Sequence, residues 1–317
     1  MVLLRPDRAK ADGRYLLFAL QSAPVRQEIL ASEGTGSTVS NLRIPLLESL
    51  FVPTPPLSEQ RVIAHILGTL DDKIELNRRM NETLEQVARA LFKSWFVDFD
   101  PVRAKSEGRD PGLPSEIADL FPDSFENSEL GEIPKGWRVE TLGDVLELAY
   151  GKALKADIRI AGRVPVFGSN GQVGWHDEKL ADGPGIVVGR KGNPGVVMWA
   201  STDFFAIDTT FYVVPKASCR SLYFLFHALR DHDLASLGAD SAVPGLNRNL
   251  AYMSKQVVPS EPLLEAFDRE VKPLFERIHQ SDEVSGTLAS LRDALLPRLI
   301  SGELLVQSQR LSDEVLP

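Results

Sequence analysis

The chain has 317 residues, 43 % of them apolar, which is enough for two domains of ordinary size, each with a real core. One cysteine, Cys219, excludes an internal disulfide and a thiolate metal cluster. No apolar run approaches about 18 residues and the N-terminus lacks a long apolar stretch, so a soluble cytoplasmic protein with no membrane partner is expected.

The net charge of −9 disfavours a polyanion partner for the chain as a whole, but the charge is uneven. Residues 131–255 carry 14 basic and 13 acidic side chains, whereas residues 98–130 carry 3 and 9. The central block can therefore present a local basic face in an acidic chain.

In chain order, residues 1–56 are mixed and end in the proline-rich "FVPTPP". Residues 57–97 hold no proline and one glycine, Gly68, and read as one long helix with Ser58 as N-cap and Glu59 and Gln60 in its first turn. Residues 98–130, with Pro101, Pro111, Pro114 and Pro122, read as an acidic linker. Residues 131–260 are β-rich: "VPVFGSNG", "GIVVGRKG", "GVVMWAS" and "TTFYVVP" are short strand-like runs split by Gly and Pro. Residues 261–301 form a second long helix, with a kink expected near Pro273 and a weak last turn at Pro297. Residues 302–317 are a C-terminal tail.

Both helices carry heptads. In the first, Ile63, Leu70, Asn77, Leu84 and Leu91 take the a positions and Ile66, Lys73, Met80, Val87 and Ser94 the d positions. In the second, Leu264, Val271, Ile278, Ser285, Arg292 and Leu299 are at a, and Phe267, Leu274, Ser281, Leu288 and Leu295 at d. Each seam turns polar at mid-length, at Lys73 and Asn77 and at Ser281 and Ser285. An antiparallel coiled coil would bring these four residues together and fix its register there. The expected fold is α+β, a β-rich domain plus two long helices packed as an antiparallel coiled coil.

An internal repeat runs through this order. "YLLFALQS" (15–22) resembles "YFLFHALRD" (223–231), "GSTVSNLR" (36–43) resembles "DSAVPGLNRN" (240–249), and "FVPTPPL" (51–57) resembles "VVPSEPLL" (257–264), with a long helix after each. Residues 1–56 thus read as the C-terminal remnant of a domain whose full copy lies at 131–260.

Catalytic and cofactor motifs are missing. "VVGRKGNPG" (187–195) is no phosphate loop, because Lys191 follows Arg190 rather than Gly. Gly151-Lys152 is followed by Ala153, and no G-x-G-x-x-G follows a strand. Asn193-Pro194-Gly195 lacks the aromatic of an amino-methyltransferase motif. Asp177-Glu178-Lys179 has no second carboxylate at nuclease spacing. His65, His176, His227, His232 and His279 show no metal-ligand spacing.

A binding role fits better. Polar loops bracketed by glycine let a backbone approach a ligand closely. Arg190 can fork to guanine O6 and N7, Asn170 and Gln172 can pair with adenine, and Lys191 can neutralise a phosphate. Ser169 and Asn193 lie in the same loops, "GLNRN" adds Asn247, Arg248 and Asn249, and Lys152 and Lys155 add charge, with Arg159 and Arg163 as further basic candidates. Trp175 and Trp199 read as core aromatics.

Residues 55–105, "GEIPKGWRVETLGDV" (131–145), the strand-rich body and "LRDALLPRLISGEL" (291–304) together resemble the DNA-specificity subunits of type I restriction–modification enzymes. The resemblance implies two target-recognition domains, each reading half of a split site in double-stranded DNA. Two antiparallel helices would hold them apart, each 40-residue helix being roughly 60 Å long. It implies a non-catalytic chain without its own cofactor. Its partners would be two methyltransferase subunits that bind S-adenosylmethionine and restriction (translocase/nuclease) subunits that use ATP and Mg. Because residues 1–56 keep only the tail of a first recognition domain, a second copy of the chain or a separately encoded domain is expected to supply the rest. The alternatives are a stand-alone DNA-modifying or DNA-cleaving enzyme and a coiled-coil assembly protein.

Overall fold

The computed structural model describes residues 3–32, 44–238 and 245–306. They fall into two compact units, Met1–Asn81 with Gln280–Pro317, and Glu82–His279. In chain order the helices and strands begin with α1 (Gly13–Gln21), α2 (Ala23–Ser32), α3 (Ile44–Ser49) and the long α4 (Leu57–Phe96). Then come α5 (Asp100–Ser106), α6 (Ser115–Ala118), β1 (Phe125–Ser128), β2 (Gly131–Pro134), β3 (Arg138–Thr141), α7 (Leu142–Val145) and β4 (Leu146–Tyr150). The strands β5 (Val164–Gly168), β6 (Gly171–His176), β7 (Gly185–Gly189), β8 (Val197–Ala200), β9 (Phe205–Ala206) and β10 (Thr210–Pro215) follow. The chain closes with α8 (Leu222–Asp231), α9 (Arg248–Met253), β11 (Lys255–Val258) and α10 (Glu261–Ile300). None of the described helices is long and apolar enough to cross a membrane.

The first unit is helical. Asp12 caps α1 by accepting from the Arg14 and Tyr15 amides at 2.9 and 3.0 Å. The apolar face of α1 (Tyr15, Phe18, Ala19) packs on Ile63, Ala64 and Leu67 of α4 and on Leu299 and Ile300 of α10. Gly68 lets the Arg14 guanidinium lie against the helix, donating to the Gly68 carbonyl at 3.0 Å and pairing with Asp72. Helix α4 starts at Leu57, so Ser58 lies inside the first turn and is not its N-cap.

The helix seam follows the heptads on α10 but not all of them on α4. On α10, every a and d residue from Leu264 to Leu299 is buried or half-buried. On α4 the a positions are inside, but their partners are Leu67, Ile74, Asn81, Ala88 and Trp95, one residue later than the sequence frame placed them. Lys73 is exposed and so is Val87, which corrects their assignment to the seam. Asn81 takes the polar place instead. In the first unit Asn77 Nδ2 donates to Ser285 Oγ at 3.1 Å, Ser285 Oγ donates to the Ser281 carbonyl at 2.7 Å, and Asn81 Nδ2 donates to Asp282 Oδ1 at 2.7 Å. Asp71 meets Arg292 at 2.6 Å, so numbers rise along α4 as they fall along α10 and the pair is antiparallel. Helix α10 runs through Pro273 and Pro297 as one uninterrupted element.

Asn77 is 3 % exposed. Asn77→Leu is expected to raise the unfolding free energy by about 1 kcal/mol, because apolar burial replaces a buried amide at one register position. It should also broaden the distance distribution between spin labels placed across the pair. An unchanged melting profile and an unchanged distribution contradict the register role.

The second unit is mixed. Its main sheet is antiparallel in the order β4-β10-β7-β8, with Phe211 opposite Tyr150 and Thr210 opposite Gly189. The end of β4, the end of β7 and the start of β10 therefore share one edge of the sheet. β6-β5-β9 forms a smaller sheet, and β1-β2 and β11-β3 form two ladders. Helix α8 is buried from Tyr223 to Leu229, with Phe224 5.7 Å from Phe92 and 5.1 Å from Phe96 between ring centroids.

Residues 98–130, expected as a linker, belong to this unit. They form α5, α6 and β1, and Phe99, Val102 and Phe121 join the core beside Trp95 and Trp137. The repeat partners 15–22 and 223–231 are both helical, in α1 and α8. The stretches 36–43 and 240–244, and the tail from 307, lie outside the described residues.

His227 sits among Phe92, Phe226, Phe267 and Phe275. Burial, helped by Arg230 and Arg89, pushes its pKa down to about 3. The folded state therefore binds fewer protons than the unfolded chain between pH 3 and about 6.5, so the stability from a neutral His227 is full above that window and falls as pH drops through it. Asp268 runs the opposite way: burial raises its carboxyl to about 6, so its protonation favours the fold as pH falls from 6 towards 4. His227→Phe keeps Asp268 and removes only the first effect. It should lose about 2 kcal/mol less than the wild type between pH 7 and pH 5, measured by urea unfolding at both values. Equal losses contradict a neutral buried imidazole.

Candidate nucleic-acid interface

The shared edge of the main sheet carries most of the predicted DNA-binding residues. The amides of Arg190 and Lys191 both donate to the Thr209 carbonyl, at 2.9 and 3.1 Å, as the chain leaves β7. The Leu246 amide donates to the Arg190 carbonyl at 2.9 Å, which brings "GLNRN" against the same loop. The Lys152 amide donates to the Ala206 carbonyl at 3.0 Å and the Ile207 amide to Phe167 at 3.0 Å, tying the ends of β4, β9 and β5 together. Backbone hydrogen bonds thus assemble one rim from five segments, 150–152, 167–170, 189–195, 206–210 and 245–249.

The glycines of "GRKGNPG" answer to packing. The loop closes on itself, with the Gly195 amide donating to the Gly189 carbonyl at 2.9 Å. A Cβ at Gly189 would stand 2.1 Å from the Asn193 carbonyl oxygen. At Gly195, where φ is +81°, a Cβ would lie 2.6 Å from the Ala235 nitrogen. A Cβ at Gly192 would lie 3.2 Å from Ser169 Oγ, so this loop lies against the β5–β6 turn. Asn193 Nδ2 donates to Asn170 Oδ1 across that contact. Asn170 Oδ1 thus already accepts one hydrogen bond, and its second lone pair and its amide N–H groups are left for a ligand.

Arg190 is held in place. Its Nη1 donates to the Asp208 carbonyl at 3.1 Å, and its guanidinium carbon lies 4.8 Å from the Tyr150 ring centroid and 5.7 Å from that of Phe211. Arg248, the first residue of α9, lies 4.8 Å from the same Tyr150 ring and 5.7 Å from Tyr252. Such cation–π contacts contribute about 0.5–1 kcal/mol each at exposed sites. Among the described residues neither guanidinium meets a carboxylate within ion-pair distance. Lys152, Lys155, Lys191, Asn193 and Asn249 are exposed.

Other candidates have local duties. Asn247 is the N-cap of α9, its Oδ1 accepting from the Asn249 and Leu250 amides at 3.0 and 3.3 Å, which commits that oxygen to the cap. Gln172 Nε2 donates to the Gly174 carbonyl on its own strand at 3.3 Å. Arg159 Nη1 donates to the Val173 carbonyl at 2.7 Å. Lys155 lies on the turn ahead of Ala156–Ile158 and is not tied into the rim by any hydrogen bond above.

One of the two tryptophans read as core aromatics departs from that reading. Trp199 is packed, stacked on Tyr223 at 4.9 Å, but Trp175 is 55 % exposed. Tyr150, which sequence reasoning passed over, is 49 % exposed and rests on buried Phe211 at 5.0 Å. It is the last residue of β4 and stands directly before Gly151-Lys152.

The sequence profile described as "Type I restriction modification DNA specificity domain" matches residues 1–86. The type I restriction enzyme HindI specificity subunit of Haemophilus influenzae is 28 % identical over 87 % of this chain and 73 % of its own length. The MjaIX specificity subunit of Methanocaldococcus jannaschii is 28 % identical over 96 % of this chain and 72 % of its own. In fold, the chain is similar to the crystal structure of the type I restriction–modification S subunit from M. genitalium. The TM-score is 0.57 at 21 % identity, with 92 % of this chain and 74 % of that one covered.

Proposed function

We infer that this chain, a member of the type I restriction–modification specificity-subunit family, reads one half of a split DNA site through the rim at the edge of its main sheet. The observation that carries this reading is the placement of Arg190, Arg248, Lys152 and Lys191 on one rim of a chain whose net charge is −9. Local positive charge supplies affinity for phosphate, and positioned guanidinium forks supply base discrimination.

The chain performs no chemistry itself on this reading. It places two methyltransferase subunits, which carry S-adenosylmethionine, and the restriction subunits, which use ATP and Mg, on the DNA. The antiparallel pair α4 and α10 acts as the spacer of the split site, each helix being about 60 Å long. Removal of one heptad from each helix should shorten the gap between half-sites.

Duplex binding by the full chain tests the reading. Affinity should fall steeply with salt, and Lys191→Ala should reduce the log–log slope by about 1, as loss of one phosphate contact does. Binding that ignores salt, or no binding to any duplex, contradicts it.

A further inference from the structure

We propose that Tyr150 is a specificity-determining positioning residue of the DNA-reading rim, holding Arg190 and Arg248 in one fixed arrangement so that the two act as a single reading unit. The proposal rests on the DNA-reading role of this rim. Tyr150 ends β4 and is paired with Phe211 on β10, so its backbone is fixed by the main sheet. Its ring leans on Phe211, which is buried in the core. The platform is therefore rigid while half of its surface stays open.

Two arginines from different segments meet on this one ring. Arg190 comes from the loop after β7 and Arg248 from the start of α9, and each guanidinium carbon lies 4.8 Å from the ring centroid. The two cations thus lie within about 10 Å of each other, about three base-pair steps at 3.4 Å. Like charges so placed repel, and an arginine on a flexible stem would swing away. The π face offsets the repulsion and holds each guanidinium at the ring. A phosphate contact needs only charge, whereas a bidentate base contact needs the fork in one plane. Loss of the ring should therefore remove sequence discrimination and leave general affinity in place.

The test begins with selection of duplexes from a randomised library by the wild-type full chain. Affinities for the selected and for a scrambled duplex are then measured over a salt series for wild type, Tyr150→Phe and Tyr150→Leu. Tyr150→Leu should lose about tenfold on the selected duplex, little on the scrambled one, and keep its salt slope. Tyr150→Phe, which keeps the ring, should keep the discrimination ratio. Arg248→Lys keeps the charge and loses the guanidinium fork, so it should reproduce the Tyr150→Leu pattern even if that variant folds poorly. An undiminished ratio in both Tyr150→Leu and Arg248→Lys overturns the proposal, as does an equal loss on both duplexes with a shallower slope. Failure of the wild type to enrich any sequence overturns the DNA-reading role itself, a result distinct from an idle ring.

Discussion

Arg190→Ala weakens binding to the preferred duplex by about 1–3 kcal/mol, with a much smaller loss on a scrambled duplex. The geometry sets this expectation. Arg190 is anchored by the Asp208 carbonyl at one nitrogen and by its contacts with the Tyr150 and Phe211 rings. A guanidinium so held loses little freedom on forming a paired contact. Arg190→Lys should recover charge but not discrimination. Equal losses on both duplexes, read by fluorescence anisotropy, would reduce Arg190 to a phosphate contact.

Phe267→Ala destabilises the second unit by about 3–5 kcal/mol, the usual cost of emptying an aromatic-sized core site. Phe267 is fully buried, and its ring centroid lies 6.2, 5.9 and 5.0 Å from those of Phe92, Trp95 and Phe96, and 6.2 Å from His227. Those partners come from α4 and α8, so one truncation opens the contact among three helices. Leu291→Ala, on an exposed face of α10, should stay within about 0.5 kcal/mol. Similar midpoints for the two variants in urea would contradict this account of the core.

The sequence made the long helices legible because two faces of each are apolar at heptad spacing, and on α10 the frame is unambiguous. On α4 it was ambiguous: Ile66 and Leu67, Met80 and Asn81, and Val87 and Ala88 are adjacent pairs between which hydropathy alone prefers the wrong member. The buried member is Asn81 rather than Met80 because its amide meets Asp282. A pattern of apolar residues does not register a buried polar pair. Residues 98–130 misled for a similar reason. Their prolines and acidic side chains describe the surface of the segment, while Phe99, Val102 and Phe121 dock it onto the core.

At the rim, the loops carrying Arg190 and Lys191 were legible from glycine and charge, but their neighbours were not. Asn247 suits a DNA contact by its type, yet its oxygen caps α9, a duty that residue type alone does not register. Tyr150 was missed because a lone tyrosine at a strand end carries no motif; only the meeting of two loops over its ring gives it a role.

A DNA-methylation map of the host genome tests the central claim most directly, with this gene present, deleted, and carrying Arg190→Ala, and with the proposed methyltransferase partner present throughout. The account predicts a two-part methylated motif that vanishes on deletion and is lost or relaxed at one half in the Arg190→Ala strain. A map identical in all three strains would contradict it.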